Sequence, residues 1–110
     1  MIKFEDIKDI FQGFSITLHD EQSFVDEDDT IPLPYMYYYA TQSHNLEADG
    51  SIYLPIVSAC VRLITETSDF HENRKVEEVL RKNGIVYSMK VESLQDEAIF
   101  VTDYRFDARL

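Results

Sequence analysis

YMYYYATQSHNLEADGSIYLPIVSACVRLIT, residues 35–65, is a pair of β-rich runs separated by turn-forming residues. The first run, Tyr35 to Gln42, is dense in aromatics that favour pleated structure. It sets Tyr35, Tyr37 and Tyr39 on one face and Met36, Tyr38 and Ala40 on the other. The second run, Ile52 to Thr65, alternates Val57, Ala59, Val61 and Leu63 with Ile56, Ser58, Cys60 and Arg62, giving one apolar face and one mixed face. Between them SHNLEADGS offers Asn45 and the Asp49-Gly50 pair for a tight reversal or for the tip of a long hairpin. Pro55 has no N–H, so its half of the second run reads as an edge, a bulge or a projecting arm.

Outward from this pair, Phe4, Ile7, Ile10 and Phe11 recur at spacings of three and four among charged residues, which predicts an amphipathic helix over 2–12, stopped by Gly13. Phe14, Ile16 and Leu18 alternate with polar residues and predict a short strand. Residues 20–34, with two prolines and an acidic run, read as a long loop and as a candidate binding element. Downstream, Ser68 or Asp69 is placed to cap a helix with Val76, Val79 and Leu80 on its apolar side and Glu77–Arg81 and Glu78–Lys82 as i,i+4 pairs. Asn83-Gly84 ends that helix, and strands follow at Ile85 to Val91 and Ala98 to Phe106, joined by Ser93, Gln95, Asp96 and Glu97. The predicted class is α+β: a single domain with a mostly antiparallel sheet of four to five strands and two helices packed on one face.

Composition narrows the function. Twenty-one Asp and Glu against 10 Lys and Arg leave a formal charge of −11, which argues against nucleic-acid binding and for basic or neutral partners, and which also keeps a chain soluble. The N-terminus MIKFEDIKDIF does not read as a signal peptide, and no apolar run reaches membrane-spanning length. The single Cys60 sits in an apolar strand pattern, as a small hydrophobe does.

No chemical constellation emerges. Asp26, Glu27, Asp28 and Asp29 lack the alternating ligand spacing and bend glycine of a calcium loop, so they read as a solvated acidic loop. His19, His44 and His71 are scattered and lack zinc-site spacing. His19 beside Asp20 and Glu21 is no acid–base pair, because neighbours on an extended segment point apart. The 3 glycines, at 13, 50 and 84, cannot build a phosphate loop or a nucleophile elbow. The chain is therefore expected to be no enzyme and to use neither cofactor nor metal. Its 7 Tyr and 7 Phe, four of the tyrosines within Tyr35–Tyr39, suit either sheet packing or anchoring of a partner subunit.

A succession of short patches carries a resemblance. Pro34-Tyr35 opens the aromatic strand Tyr37-Tyr38-Tyr39; the turn Asn45 to Gly50 follows; Ile52-Tyr53 starts a long strand into Val61-Arg62-Leu63-Ile64-Thr65. Glu72, Val76, Glu77, Val79 and Leu80, the Asn83-Gly84-Ile85-Val86-Tyr87 exit, and Tyr104 with Phe106 complete the series. In this order the chain resembles the tail terminator, or tail completion, proteins of long-tailed phages and prophages of Gram-positive bacteria. It departs from that pattern at Cys60-Val61-Arg62 and in the extended acidic run.

The resemblance implies a hexameric ring on the head-proximal end of the tail tube, which stops tube polymerisation and presents a docking surface to the head connector. It implies as partners further copies of the chain, the tail tube protein and a head-completion protein, and as location the virion tail, after assembly in the host cytoplasm. Tyr35, Tyr37, Tyr39, Asn45, Asp49, Tyr53 and Pro55 are then candidate interface residues, and Asp26, Glu27, Asp28 and Asp29 a candidate lumen or rim. Six copies at −11 each carry −66, so repulsion favours monomers in dilute solution until a tube end supplies a template. Two alternatives stand beside this: a head-completion or stopper protein, and a small acidic inhibitor that imitates DNA or plugs a basic cleft. The acids cluster in a loop and at turns, whereas a mimic needs them regularly spaced along a face.

Overall fold

The computed structural model describes residues 1–20, 33–48, 52–66, 70–94 and 98–110, with the backbone alone for 42–48, 52–54 and 94. A 3-10 turn at Phe4–Asp6 leads into α1 (Ile7–Ile10), followed by β1 (Leu18–Asp20), β2 (Tyr35–Ala48), β3 (Ile52–Thr65), α2 (His71–Lys82), β4 (Ser88–Leu94) and β5 (Ile99–Arg109). The five strands form one sheet in the order β1-β2-β3-β5-β4. β1 runs parallel to β2, and the other three pairings are antiparallel. The protein is α+β, and its sheet is mixed.

One face of the sheet carries the core. Met36, Val57, Ala59, Val61, Leu63 and Tyr104 are buried there against Ile7 and Phe11 of the N-terminal segment and Val76 and Leu80 of α2. The alternation of β3 thus faces as its sequence pattern predicts, and both helices lie on that side. Cys60, on the opposite face, is fully buried, and burial pushes its thiol up, as befits a packing residue.

Several boundaries differ from expectation for local reasons. The first helix is two short pieces ending before Gly13, whose φ of +81° suits glycine. β1 holds only three residues; Ile16 is buried from a bend ahead of it. The loop at 20–34 lies largely outside the described residues, as do Ser68 and Asp69. The α2 capping position falls on Phe70, at φ +58°, with no side-chain cap, and its ring meets Phe100 edge-on at 6.4 Å. Glu78 and Lys82 pair at 3.2 Å, but Glu77 turns inward and leaves Arg81 for the Tyr104 hydroxyl.

The end of α2 explains why β4 starts three residues later than predicted. Gly84 takes φ +69°, its N–H bonds Arg81 O at 3.0 Å, and the Ile85 N–H bonds Leu80 O at 3.0 Å. Ile85 therefore belongs to the helix stop, and its N–H is not available to a strand ladder. Gly84→Ala is expected to lower stability by about 1 kcal/mol in urea unfolding, because a Cβ there meets no neighbour but strains the left-handed backbone.

Candidate interaction surfaces

The outer sheet face is organised by a bulge. β2 and β3 pair Gln42 with Ser58 and then Ala40 with Ala59, so Thr41 is an extra residue, and its Oγ1 donates to Ser58 O at 3.1 Å. The shift places Tyr35, Tyr37 and Tyr39 opposite Ile64, Arg62 and Cys60. Rings ladder along this face, with centroids 4.7 Å apart for His19–Tyr35, 6.1 Å for Tyr35–Tyr37 and 5.7 Å for Tyr37–Tyr39.

Arg62 lies over the ladder, its guanidinium carbon 5.8 Å from the Tyr37 ring centre and 5.4 Å from that of Tyr39. Its Nε and Nη2 donate to the two Asp103 oxygens at 2.6 and 3.0 Å, and its Nη1 donates to the Tyr37 hydroxyl at 3.0 Å. Burial by itself raises the Asp103 carboxyl, but the hydrogen bonds and charge of Arg62, helped by Arg105, outweigh it and hold the group below the usual carboxylate value. Sequence reading missed this fork. The signal for it was Arg62 itself, a cation inside an apolar strand.

A second polar cluster ties α2 to β5 on the inner face. Asn73, 2% exposed, donates through Nδ2 to Thr102 Oγ1 at 2.8 Å and to the Tyr104 hydroxyl at 3.1 Å, while that hydroxyl donates to Glu77 Oε2 at 2.9 Å. Burial, with the Glu77 carboxylate also opposing ionisation, raises the Tyr104 hydroxyl far above its ordinary value, so it stays protonated as a donor. Tyr104→Phe removes an acceptor of Asn73 and the donor to Glu77. It is expected to cost about 2 kcal/mol in urea unfolding with the far-ultraviolet circular dichroism unchanged.

The β2–β3 hairpin outruns the sheet. β3 meets β5 only from Ile56 onward, and β1 meets β2 only at Met36–Tyr38, whereas Asn45–Pro55, Leu46–Leu54, Glu47–Tyr53 and Ala48–Ile52 continue the hairpin. Among the described residues these four pairs have no strand on either side. Pro55 sits at the root. Its carbonyl accepts from Leu110 N–H at 3.1 Å, so its imide nitrogen also faces the β5 side, and β5 pairing stops where the N–H is missing. Among the described residues this half of β3 is unpaired on its β5 side and extends beyond the sheet, which fits both the edge and the projecting-arm readings for Pro55; the bulge lies elsewhere, at Thr41 of β2. The radius of gyration, 15.3 Å against about 13 Å expected for a compact chain of this length, agrees with an extended shape.

No known protein-family model matches this chain, and no curated protein does.

The candidate interface residues divide accordingly. Tyr35 and Tyr37 are buried, at 9% and 8% exposure, within the fold's own packing, and Tyr39 is half-buried beside Arg62. Asn45, expected in a turn, lies inside β2 opposite Pro55, because the hairpin stays paired as far as Ala48–Ile52. Tyr53 lies in the arm, while Asp49, Asp26, Glu27, Asp28 and Asp29 lie outside the described residues. Among the described residues no three His, Cys, Asp or Glu side chains gather to hold a metal, and no helix is long and apolar enough to cross a membrane. His19 stacks on Tyr35 and His71 opens α2. An open cleft of about 480 Å³ beside the bulge presents Thr41, Ser58, Ser88, Arg105 and Asp107, a mixture of hydroxyls and opposed charges.

Proposed function

We propose that this protein is a structural assembly protein that forms a ring with further copies of itself on the head-proximal end of a phage tail tube, stops tube growth and offers the docking surface for the head-completion protein. The observation that carries the assembly reading is the projecting arm. The three hairpin pairs beyond Pro55, Leu46–Leu54 to Ala48–Ile52, which among the described residues have no strand on either side, are an element suited to completion by another chain. A head-to-tail contact of that kind, repeated around an axis, closes a ring. The class of partner follows from the resemblance, which covers most of residues 30–106.

The charge of −11 per copy fits the same role, because a ring of like-charged copies is held apart in solution and assembles where a tube end brings them together, and an acidic channel lets DNA pass without adhering. The test is polymerisation of the tail tube protein from the same genome, with and without this protein, read by negative-stain microscopy. Short tubes with one closed end are expected. Tube lengths unaffected by an equimolar addition count against the reading.

A further inference from the structure

Among the described residues β4 is an edge strand. Among the described residues only β5 pairs with it, on one side. Met89 and Val91 are 52% and 39% exposed on one face, and Lys90 and Glu92 stand in water on the other, paired with each other at 3.1 Å. Open edges are usually blunted by proline, by a bulge, or by a lysine that has no partner on an incoming strand. β4 has neither proline nor bulge, and its lysine has a glutamate two residues away.

We propose that β4 pairs antiparallel with β4 of a second copy, about a two-fold axis through Val91, joining two five-stranded sheets edge to edge. In that register Lys90 of each copy faces Glu92 of the other, so two cross-strand ion pairs form, and the two Val91 side chains meet on the apolar face with Met89 opposite Ser93. The neighbouring registers that keep like faces together set Lys90 against Lys90 or Glu92 against Glu92. Like charges directly opposite destabilise a pair, so the strand specifies one register of self-pairing. The contact is isologous and closes at two copies. It uses the opposite edge of the sheet from β1 and β2, and it does not rest on the ring reading.

Seven residues of strand bury less than the roughly 1,200 Å² of a stable interface, so the dimer is weak: monomer at about 1 μM and dimer at hundreds of μM. The test is sedimentation equilibrium of the full chain over that range with a charge exchange. Lys90→Glu alone and Glu92→Lys alone each place two like pairs across the axis and are expected to weaken the dimer about tenfold or more. An equimolar mixture of the two variants sets an acid against a base at both contacts across the axis, restoring association, and the double variant, at unchanged net charge, restores it within one chain. A wild type that stays monomeric at about 500 μM, single variants that dimerise like the wild type, or a mixture that stays monomeric overturns the proposal. Val91→Cys provides a second readout that leaves the charges alone: oxidation is expected to cross-link it to its own copy, whereas Ser93→Cys, which faces Met89, does not cross-link. The reverse pattern rejects the axis.

Discussion

Arg62→Met is expected to lower unfolding free energy in urea by about 3 kcal/mol at pH 7, because it strands the Asp103 carboxylate, 7% exposed, without its two charge-assisted hydrogen bonds. Acid is expected to close the gap. In the wild type the Asp103 carboxyl lies below its ordinary value, so its contribution is complete above the unfolded-state value, near 4, and is lost as pH falls through the lowered folded value. In the variant burial, the largest influence on the group, is opposed only by Arg105 and the Cys60 hydrogen bond and raises the carboxyl, so the penalty is relieved as pH falls through that raised value toward about 4. The difference between the two proteins should therefore be largest at neutral pH and shrink steadily below it. Arg62→Met with Asp103→Leu removes both charges and is expected to recover most of the loss. A penalty for Arg62→Met that is the same at pH 7 and pH 3 would mean that the fork contributes through packing alone.

Shortening the arm is expected to separate folding from assembly. A chain in which residues 45–55 are replaced by Asn-Gly, so that His44 and Ile56 flank a two-residue hairpin turn, keeps Val57, Ala59, Val61 and Leu63 in the core and all ten β3–β5 register pairs. Loss of the Leu110–Pro55 hydrogen bond and of the outer pairs should cost about 1 kcal/mol, or about 5 °C in the unfolding midpoint. Tube capping is expected to vanish. Capping at wild-type level by the shortened chain would assign ring contacts to another surface.

The class, the strand faces of β3 and the inner position of both helices were legible because each rests on periodicity, whereas the missing N–H of Pro55 marked a change in pairing and left an edge, a bulge or a projecting arm open. The outer face was not. Folding residues 35–48 back on 52–65 with the tip at Gly50 pairs positions that sum to 100, as Gln42 and Ser58 do, which sets Tyr38 opposite Arg62. The extra Thr41 lowers the sum to 99 and brings Tyr37 there instead, with the Asp103 fork beyond it. A one-residue bulge leaves no periodic trace where Tyr37, Tyr38 and Tyr39 put the same side chain on both faces. The late start of β4 was hidden for a related reason: Ile85 looks like a strand residue, but its N–H is taken by Leu80 at the helix stop. The Asn73–Tyr104–Glu77 cluster joins residues some thirty positions apart, and no local pattern marks it.

Whether the arm builds a ring is decided by averaged electron cryo-microscopy images of tube ends grown with the wild-type protein. A closed ring at one end of each tube is expected, with the 45–55 hairpin of every copy lying against the next. Bare tube ends, or a ring whose neighbours meet while the hairpins stand free, would contradict the assembly role given to the arm.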